Sequence, residues 1–498
     1  MQQPLTTQPV TLRQFIFVYH RKMLGFTGFW MAVVFVAYKI IYPFPDFYVD
    51  SYHYIGMAAN SNFMSTWPIG YSWFLRAVHW VSPHHYFLVV VQYLLLQLSS
   101  LWLAFTLFYY LQAPQWVKQT VLVFLVVNPL YLYMANLVSS DVLFTALSLV
   151  WLTILLQMVF NAQFWQVLFQ GPLLAYLFLV RYQAAFYPVI MLAALWMAEF
   201  RIGWKIISAA IFAVLLVWIV RVTIATNKKW YGTDQFYGQG GWISANNALY
   251  LYNHVHIDTA AFRNTPLAPL NQYVDSFFRA RGLMAHNYTP WDGPRFMLAN
   301  EVMWNHLATE MRKAPGKPTF WYYNRMGVPW AQFGKHLITH HPLAHARYFL
   351  LPNIGLYFWP VMEQFDVYNM GGTTIPAQVA KWFHLPGTTV VSYWPYGSLY
   401  LMGMFRALGV VLHVYLLVSF IVIVRKKKYL LLAPFQRRLL LLMLMAFVGN
   451  MGLLMVAAPV MLRYTALGWI WAFLLLVLLL PLVFYKVPVP ETSPAVNT

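Results

Sequence analysis

The sequence predicts an all-α, polytopic integral membrane protein, and three observations carry that reading. Hydrophobic residues make up 61% of the 498-residue chain and charged residues only 9%, with a mean hydropathy of +0.56. A soluble domain carries about 25% charged residues, so this chain cannot cover itself with polar groups and most of its surface must face lipid. Apolar stretches near the bilayer-crossing length of about 20 residues recur along it. Finally, Lys and Arg are divided unevenly between the loops that join those stretches.

Ten stretches qualify as spans, at 25–42, 86–111, 119–136, 142–160, 164–180, 184–199, 206–225, 400–424, 439–458 and 464–485. Residues 1–24 are polar and basic, with Arg13, Arg21 and Lys22. No small-residue cleavage site follows the first apolar run, so span 1 is expected to be retained. The fifth and sixth spans are the shortest.

Orientation follows from the basic residues. With a cytoplasmic N-terminus, the cytoplasmic loops hold Lys118, then Arg201 and Lys205, then the run "RKKK" at 425–428 with Arg437 and Arg438, and last Lys486. The short loops on the other side hold only Arg181 and Arg463, as the positive-inside rule requires. The chain then divides into a cytoplasmic N-terminus (1–24), a transmembrane core (25–225) with an exported loop at 43–85, and an exported domain (226–399). C-terminal spans (400–485) and a cytoplasmic tail (486–498) complete it. Within the exported domain, "ARYFLLPNIGLYFWPVM" (346–362) is apolar but broken by Pro352 and Pro360. Interfacial helix, re-entrant helix and extra span are all open for it.

The formal charge of +19 does not indicate nucleic acid, because the basic residues form no stripe on a soluble module. Membrane orientation and anionic lipid account for them, so membrane lipids are expected partners and nucleic acid is not. Cysteine is absent, which excludes disulfides and thiol chemistry.

Acidic residues are scarce, which makes their positions informative. Before Glu199 there are only Asp46, Asp50 and Asp141, and the topology puts all three at the exported face. Asp46 and Asp50 lie in "FPDFYVDSYHYI" (44–55), where Asp50 or Ser51 can cap a helix with interfacial aromatics. The alternative role for Asp50 is a base that deprotonates an acceptor hydroxyl. Asp141 opens span 4, where the helix dipole favours an anion. Cations gather at the same level: Lys39, Arg76, Arg181, Arg221, Arg406 and Arg463. Each alone fits snorkelling, and together they suit a phosphate.

Two further motifs point elsewhere. "HLITHHPLAHARYF" (336–349) spaces His336/His340 and His341/His345 one helical turn apart, but Pro342 interrupts it and no carboxylate accompanies it. Interfacial or substrate-contacting histidines are expected there rather than a metal pair. "YGQGGW" (237–242) lacks the Lys-Ser/Thr of a phosphate-binding loop and reads as a turn.

Four elements resemble the GT-C glycosyltransferases, especially bacterial relatives of protein O-mannosyltransferases and aminoarabinose transferases. "DSYHYIGMAANSNFMSTWPIGYSWFLRAVHW" resembles their first exported loop through Asp50, Tyr54 and "WPIGY" (67–71). "SSDVLF" (139–144), "LVRYQAAFYP" (179–188) and "LRYTALGW" (462–469) resemble later elements in the same order. The resemblance covers the first 200 residues and the last 40, and 226–399 matches nothing in it. It implies a GT-C-like helical core with a mixed exported domain, and sugar transfer from a polyprenyl-phosphate donor to a hydroxyl of a glycan, lipid or protein at the exported face of the inner (cytoplasmic) membrane, with inversion. Asp50 would be the base and Asp141 would position it. Arg181, Arg463, Lys39 and Arg221 would hold the donor phosphate, and Tyr54, His53, Trp67 and Tyr71 would contact substrate. No cofactor is implied. The Asp-x-Asp of metal-dependent oligosaccharyltransferases is replaced here by Asp-x-x-x-Asp, so a divalent metal is not indicated. A lipid-linked glycan transporter or flippase and an O-antigen polymerase or ligase are the alternatives.

Overall fold

The computed structural model describes residues 10–484 apart from 63, 66, 162, 282–290 and 294–299. Eight of its helices are long and apolar enough to cross a membrane: Arg21–Ile41, His85–Leu111, Gln115–Asn136, Ser140–Phe160, Ile202–Tyr231, Gly397–Arg425, Pro434–Ala457 and Leu462–Phe484. Two shorter apolar helices, Phe164–Val180 and Tyr182–Met197, occupy the remaining two expected positions. The protein is an all-α polytopic membrane protein, and its helices are called spans 1–10 below.

Local chemistry explains the irregularities. Span 3 breaks at Asn128, because Pro129 cannot supply the next helical N–H. The Asn128 side chain instead accepts a hydrogen bond from Leu130 N at 3.0 Å and starts the helix again. Span 7 runs past its expected end at 225 to Tyr231, and Gly232 stops it in the left-handed conformation with φ 70°. Span 4 is apolar all round and accordingly central, whereas spans 1, 7 and 8 leave most of their surface open to lipid.

The segment at 346–362 does not form another long helix. A π-helical turn at Ala346–Leu350 leads into Leu351–Phe358, which ends at Trp359–Pro360. Asn353 anchors it to the end of span 9, donating to the carbonyls of Met455 and Ala458 at 2.7 and 2.8 Å. Its Oδ1 accepts from Val460 N at 2.8 Å.

Residues 238–340 carry a second hydrophobic core around Leu249, Val274, Val302, Trp330 and Phe333. Among the described residues the regular structure between spans 7 and 8 is helical, joined by irregular segments, and no strand is present beyond isolated bridges. The expected turn at 237–242 is instead the start of helix Gly238–Leu249. That helix packs backbone to backbone against Thr319–His340. A Cβ on Gly241 would lie 1.9 Å from the Gly327 carbonyl oxygen, and one on Gly334 would lie 2.8 Å from that of Ser244. Glycine is required there for close approach.

This contact yields a direct test. Gly241→Ala is expected to cost about 1–3 kcal/mol through overpacking. Gly403→Ala, on span 8 with nothing within 4 Å of its Cβ position, is expected to be neutral. Thermal unfolding in detergent compares them, and equal melting temperatures would refute the close packing.

Candidate functional site

Two short backbone bridges build the site. Asp46 pairs in parallel with Leu137, with Asp46 N bonded to the Asn136 carbonyl at 2.9 Å and Val138 N to the Asp46 carbonyl at 3.0 Å. This fixes the loop after span 1 beside the start of span 4. The second bridge joins Val361 to Met461, with Leu462 N bonded to the Val361 carbonyl at 2.9 Å. It fixes the segment after Pro360 beside the start of span 10. Asp50, Asp141, Glu363 and Arg463 each lie within a few residues of a bridge, so the four side chains converge.

Arg463 is the centre of that cluster. Its Nε donates to Glu363 Oε2 at 2.9 Å, and its Nη1 donates to Asp50 Oδ2 at 3.2 Å and pairs with Asp141 Oδ2 at 3.6 Å. Its Nη2 reaches Tyr464 Oη at 2.9 Å, and the guanidinium lies 5.1 Å from the Tyr48 ring centre. Arg181, just past the end of span 5, donates through Nη1 to Asp141 and, at 3.5 Å, to Ser140. Ser139 donates to the other Asp141 oxygen. A cation in the first turn of a helix, where Arg463 stands, is opposed by the helix dipole. The three carboxylates offset that cost.

The carboxylates are not equivalent. Side chains of Asp141 and Glu363 are 4% exposed, whereas Asp50 is 24% exposed and opens onto two cavities. Burial pushes the Glu363 carboxyl up, and Arg463 pulls it back. Glu363 also holds the left-handed conformation with φ 51°, which a non-glycine residue adopts only at a cost of about 1–3 kcal/mol. Tyr48 Oη donates to its Oε1 at 3.0 Å.

The first cavity, about 260 Å³, is lined by Arg181, Tyr182, Gln183 and by Leu453, Leu454 and Ala457 of span 9. The second, about 570 Å³, is lined by His53, Trp242, Trp304, Phe320 and Tyr323. Asp50, Trp67, Gln239, Ile243, Arg463 and Tyr464 border both.

The expected residues divide accordingly. Asp50, Asp141, Arg181 and Arg463 come together, and Tyr54, His53 and Trp67 line the cavities, with Tyr54 Oη 3.1 Å from Ser140 Oγ. Tyr71 lies one layer behind, edge-on to Tyr54 and donating to Gln92 Oε1 at 2.6 Å. Lys39 donates instead to Asn136 Oδ1 at 2.8 Å, where it braces the first bridge. Arg221 is exposed on span 7 and borders neither cavity. The expected anion site is thus narrower than a ring of cations. Both arginines border the smaller cavity, but Arg463 pairs with three carboxylates and Arg181 with Asp141.

One reading of the opening loop is corrected, and Asp46 gains a role. The N-cap position of helix Val49–Ala59 is Tyr48, whose N–H donates to Ser51 Oγ at 3.0 Å, so Asp50 is not the cap. Asp46 is a clamp: its Oδ1 accepts from Asn369 N at 2.8 Å, beside two residues with φ of 48° and 53°. Glu363, Tyr464 and Gln239 were not singled out by the sequence. For Glu363 a signal existed, since it follows a proline-broken apolar run just as Asp46 and Asp50 do.

Comparison with family models, curated proteins and solved structures returns no match.

Burial raises the Asp46 carboxyl to about 7, from 3.8. Its contribution to stability is therefore fully present below about pH 4 and lost as pH rises through about 7. Asp46→Asn keeps an oxygen for Asn369 N and removes the titration. Its melting temperature relative to wild type is expected to rise as pH is raised from about 4 to about 8. A difference independent of pH would count against the clamp.

Proposed function

We propose that this protein is a membrane glycosyltransferase that moves a sugar from a polyprenyl-phosphate donor to an acceptor hydroxyl at the exported face of the cytoplasmic membrane. The observation that carries the reading is the position of Asp50. It is the most exposed carboxylate of the cluster, and it stands where a cavity bordered by span 9 meets a cavity walled with aromatic rings.

In this reading the donor enters from the bilayer side. Arg181 meets its phosphate in the smaller cavity, and Asp50 faces the acceptor. The acceptor hydroxyl gives its proton to Asp50 as its oxygen bonds to the anomeric carbon. The bond from that carbon to the phosphate oxygen breaks, and polyprenyl phosphate leaves with the electron pair, inverting the centre. Arg463 holds and aims Asp50, while Asp141 holds Arg181 and shares Arg463. An apolar groove of about 480 Å³ between spans 8, 9 and 10 supports a lipid-linked donor. Met451 of span 9 borders that groove, and Leu453 of the same helix borders the smaller cavity.

Asp50→Asn tests the base without emptying the site, because Arg463 keeps Glu363 and Asp141 as partners. Turnover, measured as released polyprenyl phosphate, is expected to fall by roughly 10²–10⁴-fold with the folded protein retained. Asp141→Asn is expected to cost less, and Asp46→Asn little. Arg181→Ala should weaken donor binding more than Arg181→Lys, because lysine keeps the charge but loses the fork of donors. Near-normal turnover of Asp50→Asn would end the assignment.

Orientation is tested separately. A reporter fused after Lys428 is expected on the cytoplasmic side and one inserted at Asp292 on the exported side. Both on one side would overturn the topology.

A further inference from the structure

The larger cavity carries more information than the position of a base. Its wall is a run of rings in mutual contact. His53 lies 4.2 Å from Trp67 and 4.9 Å from Phe320, and Phe320 lies 5.9 Å from Tyr323. Tyr323 stacks on Trp242 at 4.3 Å, and Trp242 lies 5.5 Å from Trp304. Amide side chains of Gln239, Asn246 and Asn300 are set among these rings, and Asp50 and Glu363 form one end. Its volume of about 570 Å³ falls within the range that holds compact ligands of several rings.

We propose that this chamber binds the acceptor, and that the acceptor is an uncharged oligosaccharide. The assignment rests on the transferase reading for the word acceptor, but the binding chemistry is argued from the chamber alone. A sugar ring has two kinds of surface: a face of C–H bonds with slight positive charge and a rim of hydroxyls. The faces of aromatic rings carry negative charge and match the first. Amides and carboxylates match the second. Trp67 and His53 line the chamber, and their Nε1 and Nε2 atoms are buried and hydrogen-bond to nothing within the described structure, so neither polar edge is tied to a protein partner. Burial holds the His53 imidazole neutral, with its pKa lowered to about 4.

Other acceptors fit less well. A lipid chain would need the aliphatic lining of the groove between spans 8, 9 and 10, where Leu, Ile, Val, Met and Phe dominate. An extended peptide uses main-chain partners along an edge, and the described chamber residues include no strand. An acidic sugar would meet two carboxylates and one guanidinium that those carboxylates already engage.

Purified full-length protein in detergent is applied to a printed array of neutral oligosaccharides, acidic oligosaccharides and peptides. Neutral oligosaccharides are expected to be retained, and titration of a retained one should saturate a change in tryptophan fluorescence. Trp304 is 47% exposed at the chamber, so truncating it threatens the fold little. Trp304→Ala is expected to weaken that binding by roughly tenfold or more, and Trp304→Phe to restore most of it. Retention of no neutral oligosaccharide, preference for acidic sugars or peptides, or unaltered affinity in Trp304→Ala would each overturn the proposal. Polyprenyl phosphate release is read in parallel. Glycan binding without release would remove the transferase reading and leave the chamber assignment standing, and release without glycan binding would do the reverse.

Discussion

The Arg463 guanidinium is the interaction on which the site depends. It is buried, it stands at the unfavourable end of a helix, and it bonds carboxylates from three separate parts of the chain. Removing one partner of such a buried network typically costs about 3–5 kcal/mol, because the remaining charges are left unpaired. Each helix end that meets here is held in register by the need to satisfy that charge. The two backbone bridges act with it by setting which residues can reach. Cavity shape then follows, since Arg463 and Tyr464 stand on the partition between the two chambers.

The two aspartates after span 1 illustrate how near neighbours come to do different work. Asp46 is buried and spends its carboxylate on the backbone N–H of Asn369, which steadies the segment carrying Glu363. Asp50 keeps part of its surface open and spends only one oxygen on Arg463. A carboxylate that is aimed by one strong partner yet still reachable is suited to accept a proton. A carboxylate enclosed by backbone is suited to hold structure.

Much of the fold was legible because its signal is local. Apolar runs of membrane-crossing length give helices at all ten positions, since every peptide group in lipid must bond within its own segment. The convergence of Asp50, Asp141, Arg181 and Arg463 was also legible, because topology alone brings the ends of spans to one level. Glu363 was not, because its approach depends on the pairing of Val361 with Met461, which no periodicity announces. Lys39 and Arg221 show the opposite limit. Sharing a membrane level with a site does not fix which way a side chain points, and these two point to a bridge and to the surroundings. The glycines at 238–241 misled for a related reason: their small size serves packing against a distant helix rather than a bend in their own backbone.

The distance in sequence between Asp50 and Arg463, 413 residues, has a consequence for biogenesis. Helices enter the bilayer in order of synthesis, so Asp50, Asp141 and Glu363 are all present before the last span arrives. Until then, among the described residues of the cluster, Arg181 alone is at hand to balance the three, an excess of two negative charges. Span 10 brings Arg463, which halves that excess from two charges to one and supplies the partition between the chambers.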